Sequence, residues 1–213
     1  MKVASLKSGS RDGTLVVVKH DLSMAVTVPA IAATLIAALE DWGRTQPLLL
    51  EVARRLDADE EPAAFPLDIG DLASPLPRAP QFLDGSVYLH HMEKARRARN
   101  AAMPPNYKTE PLMYQGLSDQ FVAPTGVMPL ADDAYDLDYE AELAVVLDDV
   151  PMGVAQADAS RHVKLVMLLN DYTLRALTKD ELPKGFGFLQ AKPTSSFAPV
   201  AVTIDELGDA WDE

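Results

Sequence analysis

Apolar positions change their period several times along this chain. KVASL and TLVVVKH are short apolar runs on either side of SGSRDG, whose Asp12-Gly13 pair is a hairpin-type turn signal, so Met1 to about Val28 reads as short strands. From Pro29 to Leu56 the spacing becomes helical. Pro29 stands near a helix start, Ile31, Leu35 and Leu39 recur every fourth residue, and Pro47 is expected to separate two helices. DADEEPAAFP, Asp57 to Pro66, is polar and proline-bearing, as a linker or exposed loop is. A domain boundary is placed near residue 72.

Beyond it, DGSVYLHHMEKARRARN (Asp84 to Asn100) predicts a turn leading into a basic helix. Residues 101–136, rich in Pro, Gly and Asp, predict loops with short apolar pieces such as LMYQG and FVAP. LAVVL, Leu143 to Leu147, reads as a buried strand. In ADASRHVKLVMLLNDYTLR a short helix capped by Asp158 or Ser160 is expected before the apolar run LVMLL, and FAPVAVT further on is β-prone. No internal repeat or low-complexity tract occurs. The fold class is mixed α+β and β-rich, with a small N-terminal domain over 1–72 and a larger domain over 73–213.

Charge narrows the partners. Acidic residues outnumber basic ones 32 to 19, for a formal net charge of −13, which argues against nucleic acid or an anionic membrane and is compatible with a cation site. Against that background the run Lys94 to Arg99 is a solvated helix face. The absence of cysteine excludes disulfides, thiolate metal sites and a cysteine nucleophile. MKVASLKSGSRDG lacks the apolar core of a signal peptide, and no apolar run reaches the roughly 18 residues of a membrane span, so a cytoplasmic protein is expected.

The stretch LDYEAELAVVL raises a question of chemistry. Asp138, Glu140 and Glu142 fall at every second position, so in a strand they share one face, with neighbours about 7 Å apart. Like charges so placed repel. A solvated edge is the ordinary explanation, and a bound dication is the sharper one. VMLLND brings Asp171 to the polar end of a buried segment, and Asp84 stands beside Gly85 in a predicted turn. Hard oxygen donors without cysteine select Mg²⁺, Ca²⁺ or Mn²⁺ over zinc. His90 and His91 are either a surface pair at a helix start or the source of a general base. Arg175, four residues after Asp171, fits a simple i,i+4 ion pair if the segment is helical, and Lys192 in QAKPTSS is a loop lysine. GFGF, Gly185 to Phe188, lacks the third glycine of a dinucleotide fingerprint, and no P-loop, GxSxG elbow or HExxH occurs.

Taken together, several stretches resemble the fumarylacetoacetate hydrolase family, specifically its longer bacterial members. They are DGSVYLHHMEKARRAR, PLMYQGLSDQF, LDYEAELAVVL, LLNDYTLR and GFGFLQAKPTSSFAPVAVTIDELG, in consistent order, while MKVASLKSGSRDGTLVVV resembles the small leading domain. The resemblance implies a mixed β-sandwich roll behind that domain. It implies Asp84, Glu140, Glu142 and Asp171 as ligands of Mg²⁺ or Ca²⁺, with Mn²⁺ a further candidate. It implies His91, rather than His90, as general base, Lys192 as a stabiliser of the oxyanion, and Tyr114 and Arg175 as substrate contacts. The implied activity is hydrolytic cleavage of a carbon–carbon bond in a β-diketo acid, fumarylacetoacetate to fumarate and acetoacetate in tyrosine breakdown, by a homodimer. An acylpyruvate hydrolase, a hydratase and a decarboxylase are the enzymatic alternatives. The long members continue well past a segment like VTIDELGDAW, so a catalytic domain incomplete at its C-terminus is expected, with open sheet edges and exposed apolar surface. Glu93 is three residues from His90 but two from His91, so it is not assigned as the histidine's partner. A metal-binding piece without turnover and an acidic domain without metal are the rivals from other classes.

Overall fold

The computed structural model describes residues 1–98 and 100–211; Arg99 of the basic run lies outside them. Strands β1 (Lys2–Leu6) and β2 (Thr14–Val18) form the expected hairpin in full register, from Lys2↔Val18 to Leu6↔Thr14. Gly13 closes it at φ +67, where an added Cβ would stand 2.7 Å from the Leu6 carbonyl oxygen. Strand β3 (Met24–Thr27) pairs with β2, and the short β4 (Phe65–Pro66) with β3.

Two helices cover this part of the sheet. Helix α1 (Leu35–Leu39) is capped by Thr34, whose hydroxyl accepts from Ala37 N. Helix α2 (Trp42–Asp57) buries Trp42, Thr45, Leu49, Val52, Ala53 and Leu56 on one stripe and packs on β2 and β3. Pro47 does not separate the helices as expected; it lies inside α2. Placed in the second turn, it costs the helix only one early hydrogen bond. The break falls at Glu40–Asp41, where Asp41 leaves the helical region at φ −140 and ψ 49. Thr45 Oγ1 donates there to the Ala38 carbonyl at 2.7 Å and lies 3.0 Å from the Asp41 carbonyl.

The sheet then crosses into the rest of the chain. Strand β12 (Ala201–Val202) pairs with β1 and with β9 (Val163–Asn170), and β9 also takes β11 (Ser196–Phe197) on that side and β8 (Ala141–Leu147) on the other. All these pairings are antiparallel. Two ribbons stand off this sheet: β5 (Leu83–Gly85) with β6 (Met113–Gln115), and β7 (Leu137–Asp138) with β10 (Thr173–Leu174). Helix α3 (Leu89–Ala98) follows β5, and α4 (Arg175–Glu181) follows β10. Phe82, Phe121 and Phe197 meet edge to face, with centroids 4.7 to 6.2 Å apart, and tie the foot of the β5–β6 ribbon to the sheet.

Asp84 sits in strand β5 rather than in a turn, because Gly85 pairs with Met113 and carries the ladder past it. The segment before β9 is a 3-10 helix over Gln156–His162 that starts from Ala155 without a side-chain cap, so neither Asp158 nor Ser160 caps it. Leu143 to Leu147 is a strand, but not a buried one. Ala144 and Val146 turn inward, whereas Leu143, Val145 and Leu147 are exposed together with Leu168 of β9. Strand β8 is an edge of the sheet, and its outward residues are exposed. The expected open edge and exposed apolar surface are therefore present. No helix among the described residues is long and apolar enough to cross a membrane.

Candidate metal centre

Three strand ends bring carboxylates to one point. Asp84 comes from β5, opposite Tyr114. Glu142 comes from the inward face of β8, opposite Leu169. Asp171 directly follows β9, and its backbone N–H donates to the Glu140 carbonyl at 2.9 Å, which extends the β8–β9 ladder by one step. One oxygen from each of Asp84, Glu142 and Asp171 lies within 4.8 Å of the others.

Asp171 is buried and fully engaged. Its Oδ1 accepts from Ser195 Oγ at 3.0 Å, and its Oδ2 accepts from Lys192 Nζ at 2.6 Å and lies 2.8 Å from the Tyr114 hydroxyl. That hydroxyl is also 2.8 Å from Asp84 Oδ2. A phenol has one proton to give, so it cannot donate to both carboxylates at once. Burial, and then the hydrogen bond to Asp171, push the Asp84 carboxyl up to about 6, so only below that pH does it carry a proton of its own. Burial alone would raise Asp171, but the neighbouring Lys192 ammonium outweighs it and holds that carboxyl below its ordinary value. Burial and the charges on Asp84 and Asp171 push the Tyr114 hydroxyl well above the usual range for a phenol.

Glu142 has neither hydrogen bond nor ion pair among the described residues. Burial first, and then the negative charges of Asp84, Asp171 and Glu140, push its carboxyl up to about 8. Glu140 stands beside this cluster but is not one of its three convergent carboxylates. It receives Arg175 Nη2 at 2.7 Å on one oxygen and Lys192 Nζ at 2.5 Å on the other. Arg175 continues to Asp138, with its Nε 2.9 Å from Oδ2. Cations thus answer the repulsion between Asp138 and Glu140, which Arg175 bridges, and Lys192 links Glu140 to Asp171, whereas Glu142 receives neither.

Lys192 is not a solvated loop lysine. Its side chain is only 8% exposed and lies over the faces of Tyr114 and Phe188, 5.8 and 6.0 Å from the ring centroids. Burial opposes its charge, but Asp171 and Glu140 prevail and raise its pKa. Arg175 makes no i,i+4 pair with Asp171, because the chain between them is strand β10 and α4 begins only at Arg175. His91 and His90 are both exposed on α3, and His91 makes no hydrogen bond or ion pair among the described residues. The helix nevertheless starts beside the cluster. Tyr88 lines an open cavity of about 500 Å³ together with Glu142, Leu143, Leu168, Asn170 and Phe197. Glu93 is exposed as well.

The structure therefore brings together Asp84, Glu142, Asp171, Tyr114 and Lys192, sets Glu140 and Arg175 alongside, and leaves His91 outside. Ser195 and Phe188 belong to the site and were not singled out from the sequence. The only signal for them was their nearness to Lys192 in GFGFLQAKPTSS.

A mixed α+β sheet protein with an all-oxygen acidic cluster at its strand ends is the class that fold and site define. Residues 1–78 match the family model of the fumarylacetoacetase N-terminal domain 2, and residues 81–213 that of the fumarylacetoacetate (FAA) hydrolase C-terminal domain. The chain belongs to the fumarylacetoacetate hydrolase family. Solved structures share the fold. A maleylpyruvate hydrolase from Sphingobium sp. SYK-6, solved with manganese(II) and pyruvate, is 16% identical at a TM-score of 0.62, over 98% of this chain and 69% of that one. A fumarylacetoacetate hydrolase from Exiguobacterium antarcticum is 19% identical at 0.59, over 100% and 68%. A 5-carboxymethyl-2-hydroxymuconate delta-isomerase from Mycobacterium smegmatis is 16% identical at 0.58, over 96% and 66%. The chain thus spans about two thirds of the length of each. No curated protein matches the sequence.

Proposed function

We propose that this chain is a divalent-metal hydrolase that cleaves a carbon–carbon bond of a β-diketo acid, with fumarylacetoacetate as substrate and fumarate and acetoacetate as products. The observation that carries this reading is the convergence of Asp84, Glu142 and Asp171 within 4.8 Å, with the Lys192 ammonium against them. The donor set fits a hard dication, Mg²⁺, Ca²⁺ or Mn²⁺: it is all oxygen, and Glu142 has no other partner among the described residues to offset its charge. Asp84, Glu142 and Asp171 would hold the ion, with Glu140 as the expected fourth ligand from its place alongside. When bound, the ion supplies Lewis-acid polarisation of a substrate carbonyl.

The chain's own residues do the rest. Lys192 offers a desolvated positive charge where negative charge develops on the carbonyl oxygen, the kind of stabilisation that contributes most in such sites. Arg175 and the Tyr114 hydroxyl bind substrate oxygens. His91 removes a proton from the attacking water; its support is that α3 begins beside the cavity that Tyr88 and Glu142 line. An acylpyruvate is the second substrate class, favoured by the apolar lining that Leu143, Leu168 and Phe197 give that cavity.

The test is ultraviolet-monitored loss of fumarylacetoacetate and of an acylpyruvate, with Mg²⁺ and with EDTA. Turnover is expected with Mg²⁺ alone, and His91→Ala should abolish it while keeping the metal-induced rise in Tm. A Tm that rises with Mg²⁺ while neither substrate is consumed would sink the hydrolase reading. A Tm indifferent to every dication would sink the metal centre itself.

A further inference from the structure

The loop that delivers Lys192 begins with two glycines in the left-handed region, Gly185 at φ +79 and Gly187 at φ +85. After them the backbone turns three successive N–H groups toward one point, and that point is the carboxylate of Glu181. Oε2 accepts from Leu189 N and from Ala191 N, each at 3.0 Å, and Oε1 accepts from Gln190 N at 2.7 Å. The Ala191 carbonyl in turn accepts from Leu174 N at 2.8 Å. Both backbone groups of the residue before Lys192 are therefore held, one from each side, and Ala191 is fully buried.

Glu181 is the last residue of α4, where a negative charge opposes the helix macrodipole. None of its three hydrogen bonds satisfies a group of α4 itself; all three act on the loop. Charge-assisted bonds of this kind are about twice as strong as neutral ones. A lysine has a long flexible stem, so its ammonium stays between Glu140 and Asp171 only if its Cα is fixed.

We infer that Glu181 is a positioning residue: it anchors residues 189–191 so that the Lys192 ammonium is held inside the carboxylate cluster. Its consequence for turnover rests on the proposed role of Lys192 in the reaction; its consequence for the lysine does not.

Acylation of the metal-free protein in EDTA by an amine-reactive reagent, read by mass spectrometry at each lysine, tests this directly. Lys94 and Lys108, both exposed, serve as references, and Asp180→Ala as a control on the same helix. Lys192 is expected to be protected in the wild type and in Asp180→Ala. It should react several-fold faster in Glu181→Ala, with an intermediate rate in Glu181→Gln, which keeps one acceptor oxygen. Unchanged protection of Lys192 in both Glu181 variants would overturn the inference. Should Glu181→Ala fail to fold by circular dichroism, the Gln variant decides alone. Where the wild type turns over, Glu181→Ala is expected to lower kcat about 10- to 100-fold with KM within about twofold, as a displaced catalytic group does. An unchanged kcat would remove the link to turnover. A wild type without turnover would fail the functional reading and leave the labelling result standing.

Discussion

Glu142 lies on the inner face of β8 with Asp84 and Asp171 as neighbours and no cation of its own among the described residues, and this has a consequence for the metal-free protein. Its carboxyl is pushed up to about 8 from an ordinary 4.5, so between those values the folded state binds more protons than the unfolded chain. Asp84, pushed up to about 6, acts in the same direction. Stability from these groups is present below their unfolded values and is lost as the pH rises through about 6 and then about 8. In EDTA, the Tm difference between Glu142→Gln and wild type should therefore grow in favour of the variant as pH increases. Saturating Mg²⁺ should reverse the order, because only the wild type keeps all three carboxylates. Thermal unfolding at a series of pH values with each additive checks both. Lys192→Met, which strips a buried cation from Asp171 and Glu140, should cost about 3 kcal/mol in EDTA by urea unfolding, and less in Mg²⁺.

The junction of α1 and α2 shows how a short polar contact can settle what propensity leaves open. Thr45 is fully buried, and its hydroxyl reaches back to the Ala38 and Asp41 carbonyls at 2.7 and 3.0 Å. It ties the end of the first helix to the start of the second at the bend where Asp41 departs from helical geometry. Thr45→Val keeps the shape and removes the donor, leaving the buried Ala38 carbonyl one partner short. The expected loss is about 1.5 kcal/mol in chemical denaturation. The edge strand β8 follows a different logic. Its inward residues, Glu142, Ala144 and Val146, run from the acidic cluster into the core, and its outward residues are apolar and uncovered. A run of apolar letters marks a strand, but burial also requires something to lie on top.

The sheet joins the chain's first strand to its last, since Lys2 pairs with Val202 and Val3 with Ala201. Glu206 reinforces this closure, with Lys2 Nζ at 2.5 Å and the Met1 ammonium at 3.0 Å. Burial works against its charge, yet those two cations outweigh it and hold the carboxyl down at about 2. Stability from Glu206 is therefore present above its ordinary value of 4.5 and is lost as the pH falls toward about 2. Glu206→Gln should cost about 1 kcal/mol at neutral pH and make acid unfolding less steep in that range, as circular dichroism against pH would record.

Local order was legible in the letters wherever the physics is local. The Asp12-Gly13 turn, the helical spacing around α2 and the strands in LAVVL, LVMLL and FAPVAVT all follow from period or turn chemistry. What required the folded chain depends on contacts between distant segments. A proline does not say which turn of a helix it will occupy, so Pro47 could not reveal that the break lies at Asp41. Charge alternation does not say which carboxylate a cation will reach, so Glu140 could not be separated from Glu142 until Arg175 and Lys192 were in place. A loop lysine reads as solvated until Glu181 is seen to bind the backbone before it and carry its ammonium into the acidic cluster. Period and propensity are properties of neighbours in sequence, whereas burial, charge pairing and anchoring belong to neighbours in space.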